Sequence, residues 1–207
     1  MLPTAQTIQR ASGVTMERAQ AIEGPMRQVC ELYEIDTRER IAAFIAQTGH
    51  ESAGFSRTRE NLNYSADGLL KTWPNRFTQV LAQAMARKPE AIANHVYGGR
   101  LGNRNQGDGW RYIGRGWIQV TGLANYEAIT ELVRQKIRAA PDFVLYPELL
   151  ESRQWAAMSA GAYWDDHDLN KLADRGEFSA ITRRINGASI GAADRNARYA
   201  KALKALA

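Results

Sequence analysis

The chain has 207 residues, 44% of them hydrophobic and 24% charged, with a formal net charge of +5. This is an ordinary globular composition, long enough for one core or for two lobes flanking a cleft. The longest clean apolar run, Ile41 to Ala46, is far short of the roughly 20 residues a membrane helix needs. Charge is unevenly placed. From Arg175 to Ala207 seven basic residues stand against two acidic ones, which equals the excess of the whole chain. A basic end suits an anionic partner such as a wall polymer, a membrane surface or nucleic acid, or it is a solvated helix face. Cys30 is alone and cannot form an internal disulfide, and MLPTAQTIQR lacks the basic-then-apolar pattern of a signal peptide. Both fit synthesis in a reducing cytoplasm.

In chain order, Thr4 to Tyr33 reads as two short helices punctuated by Ser12-Gly13 and Gly24-Pro25. They are expected to pack as a layer under the helix that follows. That helix starts at Asp36 or Thr37, with Glu39 placed for a capping box. Ile41, Phe44, Ile45 and Thr48 mark its buried face. Glu51 falls about 20° from Phe44 around the axis, in the last turn, beside the negative end of the dipole. Burial and dipole together predict a carboxyl that holds a proton near neutrality, as a general acid must. Glu60 lies nine residues further, and Gly54 between them lets the chain reverse, so that the two carboxyls can face each other. Such a pair serves glycosidic bond hydrolysis. The alternative is a helix-end Glu and an unrelated loop Glu.

Ser65 or Asp67 caps a short helix closed by Pro74, and Phe77 to Arg87 gives another, apolar at Val80, Leu81, Ala84 and Met85 and stopped near Pro89. Tyr97 to Thr121 is Gly-rich but carries no phosphate-cradling motif. It reads as a loop and then a hairpin, Trp110 to Ile113 and Trp117 to Thr121. Trp117, Gln119 and Thr121 share one face of the second strand, an indole, an amide and a hydroxyl in a row that suit a sugar. An amphipathic strand with no ligand has the same pattern. Thr130 to Ala140, Leu149 to Trp164, Phe178 to Arg184 and Asp194 to Leu206 are further helices, with Gly187 at a left-handed cap. The last helix has Tyr199, Leu203 and Leu206 on its apolar side, which either docks on the core or touches membranes. Asp165-Asp166-His167-Asp168 is ligand-rich, but four adjacent residues cannot all turn toward one ion, so neither metal nor cofactor is expected. His50 is expected to support the site rather than to react.

FIAQTGHES, REN-x-NYSADGL, VYGGRLGN, GDGWRYIGRGWIQVTGLANY and RRINGA with DRNARY occur in that order between Ile35 and Tyr199. Together they resemble the family 19 glycoside hydrolases, most nearly the single-domain endolysins of phages that infect Gram-negative bacteria. The resemblance implies a mainly α, two-lobed lysozyme-like or chitinase-like fold with a small β-hairpin lining the cleft. It implies one catalytic domain over residues 1–207, with helices of residues 1–35 packed on it and no separate wall-binding module. By motif position it makes Glu51 the acid, Glu60 the base, and Thr121 the hydroxyl that holds the attacking water with Glu60. Gln119, Asn125 and Asn186 fall on sugar contacts, Tyr64 and Trp117 join them, and Arg195 matches an arginine near the cleft.

An acid expected soon after Asn186-Gly187 has no counterpart in Ala188-Ser189-Ile190, and the single cysteine excludes the disulfides of plant-type members. These departures point from crystalline chitin toward peptidoglycan, with the basic end suited to its anionic peptides. The expectation is an inverting hydrolase of peptidoglycan glycan strands. It would be a monomer needing no nucleic acid, made in the host cytoplasm and released to the wall by a holin. The alternatives are a chitinase, a bacterial wall-lysing effector, and a non-catalytic wall- or membrane-binding protein acting through its basic last helix.

Overall fold

The computed structural model describes residues 2–187 and 191–207. The chain is mostly helical: α1 (Ala5–Ser12), α2 (Met16–Leu32), α3 (Arg38–Glu51), α4 (Ala66–Thr72), α5 (Gln79–Met85) and α6 (Pro89–Tyr97) form its first half. There follow α7 (Asp108–Arg111), α8 (Leu123–Lys136), a 3-10 turn (Pro147–Glu151), α9 (Arg153–Asp166), α10 (Leu169–Asp174), α11 (Phe178–Asn186) and α12 (Ala192–Ala205). Side-chain oxygens cap several of these starts, as orphan N–H groups require. Thr37 rather than Asp36 caps α3, and Ser65 rather than Asp67 caps α4.

Helix α3 is the axle of the molecule. It is buried on all sides from Ile41 to Gly49, more completely than a one-faced helix would be. Ala42, Ala43, Ala46 and Gly49 make that enclosure feasible, because small side chains let α1, α10 and α12 approach closely. On its larger side Phe44 meets Trp164 of α9 edge-on at 5.3 Å. Of the two N-terminal helices only α1 packs closely on α3; α2 lies against α1 and α9, and Gly24-Pro25 does not break it. Pro25 sits inside α2, where Ile22, Met26, Val29 and Cys30 form a continuous buried stripe through the missing hydrogen bond.

Apolar residues gather in two clusters. The larger one is built on α1–α3 and α8–α12, and the smaller on Leu62, Leu69, Phe77, Ala82, Ile92, Ala93, Val96 and Ile113. The smaller lobe corrects three expectations. Val80 is 76% exposed, and α5 turns Ala82 inward instead. Pro89 starts a helix rather than only ending one, since proline fits the first turn where no N–H partner is needed. The expected hairpin is reduced to isolated bridges, because Asp108–Arg111 is helical. Arg115 pairs with Val120 on one side and Arg59 on the other.

Candidate active site

Glu51 ends α3, and the chain then turns back through Ala53, Gly54 and Phe55, all with left-handed φ (49°, 69° and 58°). Only glycine adopts that region without cost, so reversal after Gly54 was legible while strain at its neighbours was not. Phe55 is held there by burial against Trp117, ring centroids 4.9 Å apart, and by its N–H donating to Ser52 Oγ at 2.9 Å. The returning segment then pairs with residues 114–116. Gly116 N–H donates to Thr58 O at 2.9 Å and Glu60 N–H to Gly114 O at 2.8 Å. Glu60 is thus fixed by backbone at the point where the chain enters the smaller lobe.

Gly114 is the point about which this side of the site is gathered. A Cβ there would lie 3.0 Å from Gln119 Oε1, 3.2 Å from Thr121 Oγ1 and 3.3 Å from Glu60 Cβ. Gly114 N–H donates to Glu60 Oε2 at 3.2 Å, and Tyr97 O–H to Glu60 Oε1 at 2.7 Å. Thr121 Oγ1 donates to the carbonyl of Gln119, and Asn125 Nδ2 to that of Thr121. Gln119 itself has φ 55°, a strained residue like Ala53 and Phe55. Gln119, Thr121 and Asn125 open into a groove of about 350 Å³ with Ile118, Tyr163 and His167. A larger hollow of about 640 Å³, between Thr15, Phe55 and Glu151, holds none of the expected site residues.

On the larger lobe Glu51 is paired with Arg195. The guanidinium donates through Nη2 to Glu51 Oε1 and through Nη1 to Gln47 Oε1, while Gln47 Nε2 donates to Thr182 Oγ1 at 2.8 Å. Arg195 is 2% exposed although the sequence puts it on the polar side of the last helix. Its charge is a neighbour that apolar burial and dipole alone do not include. Beside it His50 Nδ1 meets Asp194 Oδ2 at 2.6 Å, and Arg198 Nε donates to the same oxygen at 2.6 Å. Asp194 is held below its ordinary carboxylate range, first by Arg198 and next by His50. Two adjacent pairs, His50–Asp194 and Glu51–Arg195, therefore pin α12 to the end of α3. His50 has the supporting place expected of it.

Not every expected contact lies at this surface. Trp117 is fully buried, and its indole N–H has no hydrogen-bond partner among the described residues. It is a core residue against Phe55, because the tight 114–116 turn directs it inward, and it offers no sugar platform. Tyr64 is half-buried in the smaller lobe, edge-on to Trp73 at 5.1 Å. Asn186 ends α11 before Gly187, whose φ of 70° is the expected left-handed cap. Ala188 to Ile190, where the acid is missing, lie outside the described residues. The apolar side of the last helix is turned onto the core, with Tyr199 stacked on Phe178 at 4.2 Å, leaving Lys201 and Lys204 exposed. Sequence reading missed Gln47 and Tyr97, although both fall inside the quoted motifs FIAQTGHES and VYGGRLGN.

A glycosyl hydrolase family 19 domain-containing protein of Haemophilus influenzae is 41% identical to this chain over 161 residues, 76% of each. The chain belongs to glycosyl hydrolase family 19. It is a glycoside hydrolase on that footing, although no family model matches it. The crystal structure of a mutant chitinase C superposes with a TM-score of 0.62 at 17% identity. That likeness covers 99% of this chain and 76% of the other, and it shows the family 19 fold.

Proposed function

We propose that this family 19 enzyme is an endolysin that hydrolyses the β-1,4 bonds of peptidoglycan glycan strands with inversion. The observation that supports the mechanism is the gathering of Glu60, Thr121 and Gln119 around Gly114, with Glu51 held separately by Arg195. Glu60 takes a proton from a water that Thr121 also holds, and the water oxygen attacks the anomeric carbon. As the glycosidic C–O bond breaks, Glu51 gives its proton to the leaving oxygen. Arg195 engages Oε1 of Glu51, so Oε2 is the oxygen left to carry that proton. Inversion requires room for a water, a carboxyl separation of roughly 6.5–9.5 Å. Asn125 and Tyr64 would contact sugar beside the acids, as would Asn186 at the end of α11. Arg195 acts through Glu51 rather than on the sugar.

Peptidoglycan is preferred to chitin because the basic excess of the last 33 or so residues suits an anionic polymer. Lys201 and Lys204 are the lysines of α12 available to it, or to an anionic membrane. The chemistry would act in the wall after release from the cytoplasm, with the chain as a monomer. The test is release of reducing ends from purified Gram-negative peptidoglycan and from chitin by wild type, Glu51→Gln and Glu60→Gln. Release mainly from peptidoglycan, lost in both variants, is expected. Faster release from chitin overturns the substrate, and full activity in either variant overturns the mechanism.

A further inference from the structure

Tyr97 has no role in the reading above, yet it touches the base. Its hydroxyl donates to Glu60 Oε1 at 2.7 Å, while Gly114 N–H takes Oε2, so each carboxylate oxygen has one fixed donor. A planar carboxylate held at both oxygens cannot rotate about its last bond, and its remaining lone pairs keep one direction. Tyr97 is itself held. It ends α6 in the smaller lobe, where Arg76 Nη1 donates to Val96 O at 2.6 Å. Asn103, 3% exposed, donates through Nδ2 to Tyr97 O at 2.9 Å and accepts Leu123 N–H at 2.8 Å through Oδ1. The same buried amide therefore ties the Tyr97 backbone to the residues just after Thr121.

We propose that Tyr97 is the positioning residue of the general base, aiming the Glu60 carboxylate at the water that Thr121 holds. This rests on the reading of Glu60 as base. Burial, and then the negative charge of Glu60, push the phenol above its ordinary range, so Tyr97 stays a protonated donor throughout the working range. The charged or titratable groups facing the pair are Tyr64, Arg76 and Tyr126. None of these replaces the hydrogen bond to Oε1. A donor to the ionised form favours it, so loss of the hydroxyl should be felt in the acidic limb of the rate profile.

The experiment compares wild type, Tyr97→Phe and Glu60→Gln on a soluble β-1,4 N-acetyl oligosaccharide across pH, with thermal melts in parallel. Tyr97→Phe keeps the ring in the smaller cluster. It is expected to lower kcat about tenfold or more, leave KM within about twofold, and move the acidic limb to higher pH. 3-Fluorotyrosine at position 97 keeps shape and hydroxyl but donates more strongly, and it should move that limb to lower pH. This second variant decides the matter if Tyr97→Phe folds poorly. Unchanged kcat and profile in both variants overturn the proposal while Glu60→Gln remains inactive. Activity retained in Glu60→Gln instead overturns the base itself, and Tyr97 with it.

Discussion

Replacing Arg195 probes the most exacting part of the structure, since one side chain from α12 holds two groups of α3. Arg195→Ala leaves Gln47 Oε1, on a residue 1% exposed, without its donor. A buried acceptor orphaned in this way costs about 1–3 kcal/mol. The Glu51 carboxylate, whose side chain is 22% exposed, is partly rescued by water, so that half of the loss is discounted to about 1 kcal/mol. The sum, near 3 kcal/mol, corresponds to a fall in Tm of about 6–12 °C for a domain of this size. Arg195→Lys keeps the charge but lacks the fork that reaches both partners, and it should recover less than half. Scanning calorimetry measures the stability. Reducing-end release should fall more than about tenfold as Glu51 loses its orientation. A Tm within about 2 °C of wild type with full activity in Arg195→Ala would refute the assignment of Arg195 as the clamp between α12 and the acid.

Gly114→Ala places a methyl against Gln119 Oε1 and Thr121 Oγ1 at 3.0 and 3.2 Å. It should cost about 1–3 kcal/mol in urea unfolding and more than tenfold in rate, and undiminished rate would contradict the gathering of these groups. Trp117→Phe should lower stability by about 1–2 kcal/mol with KM unchanged. A raised KM at unchanged stability would instead restore Trp117 to the sugar site. Asp194 sits below its ordinary 3.8, so its stabilising share is present above about pH 4 and lost as pH falls below it. Asp194→Asn should therefore be slightly less stable at pH 7 and should show a flatter acid limb in melts. The effect is small because the side chain is half exposed.

What the sequence made legible was local. A threonine beside an aspartate before an apolar run announces the start of α3, a serine that of α4, and Gly187 the end of α11, because caps depend on neighbours in the chain. The reversal that brings Glu60 back to Gly114, beside Thr121, was also legible, through the break at Gly54. What was not legible depends on partners far away. Pro25 stays helical because α2 is buried against α9. Arg195 reads as one more basic residue on a polar face until Gln47 and Glu51 are seen beneath it, 148 and 144 positions away. Trp117 alternates correctly for a strand, but the segment forms only bridges, and a large indole next to Phe55 gains more from the core than from solvent. Tyr97 meets Glu60 across 37 positions, with no periodicity to link them.

In the proposed mechanism Glu60 and Thr121 deliver water to the face of the sugar opposite the acid. Time-resolved proton NMR of a soluble β-1,4 N-acetyl oligosaccharide reads this directly, from the anomer that appears before mutarotation. The α-anomer is expected at the new reducing end from the first turnovers. The β-anomer appearing first would contradict it, because retention takes two displacements, through a glycosyl-enzyme or through the sugar's own acetamido group, and gives Glu60 a different task.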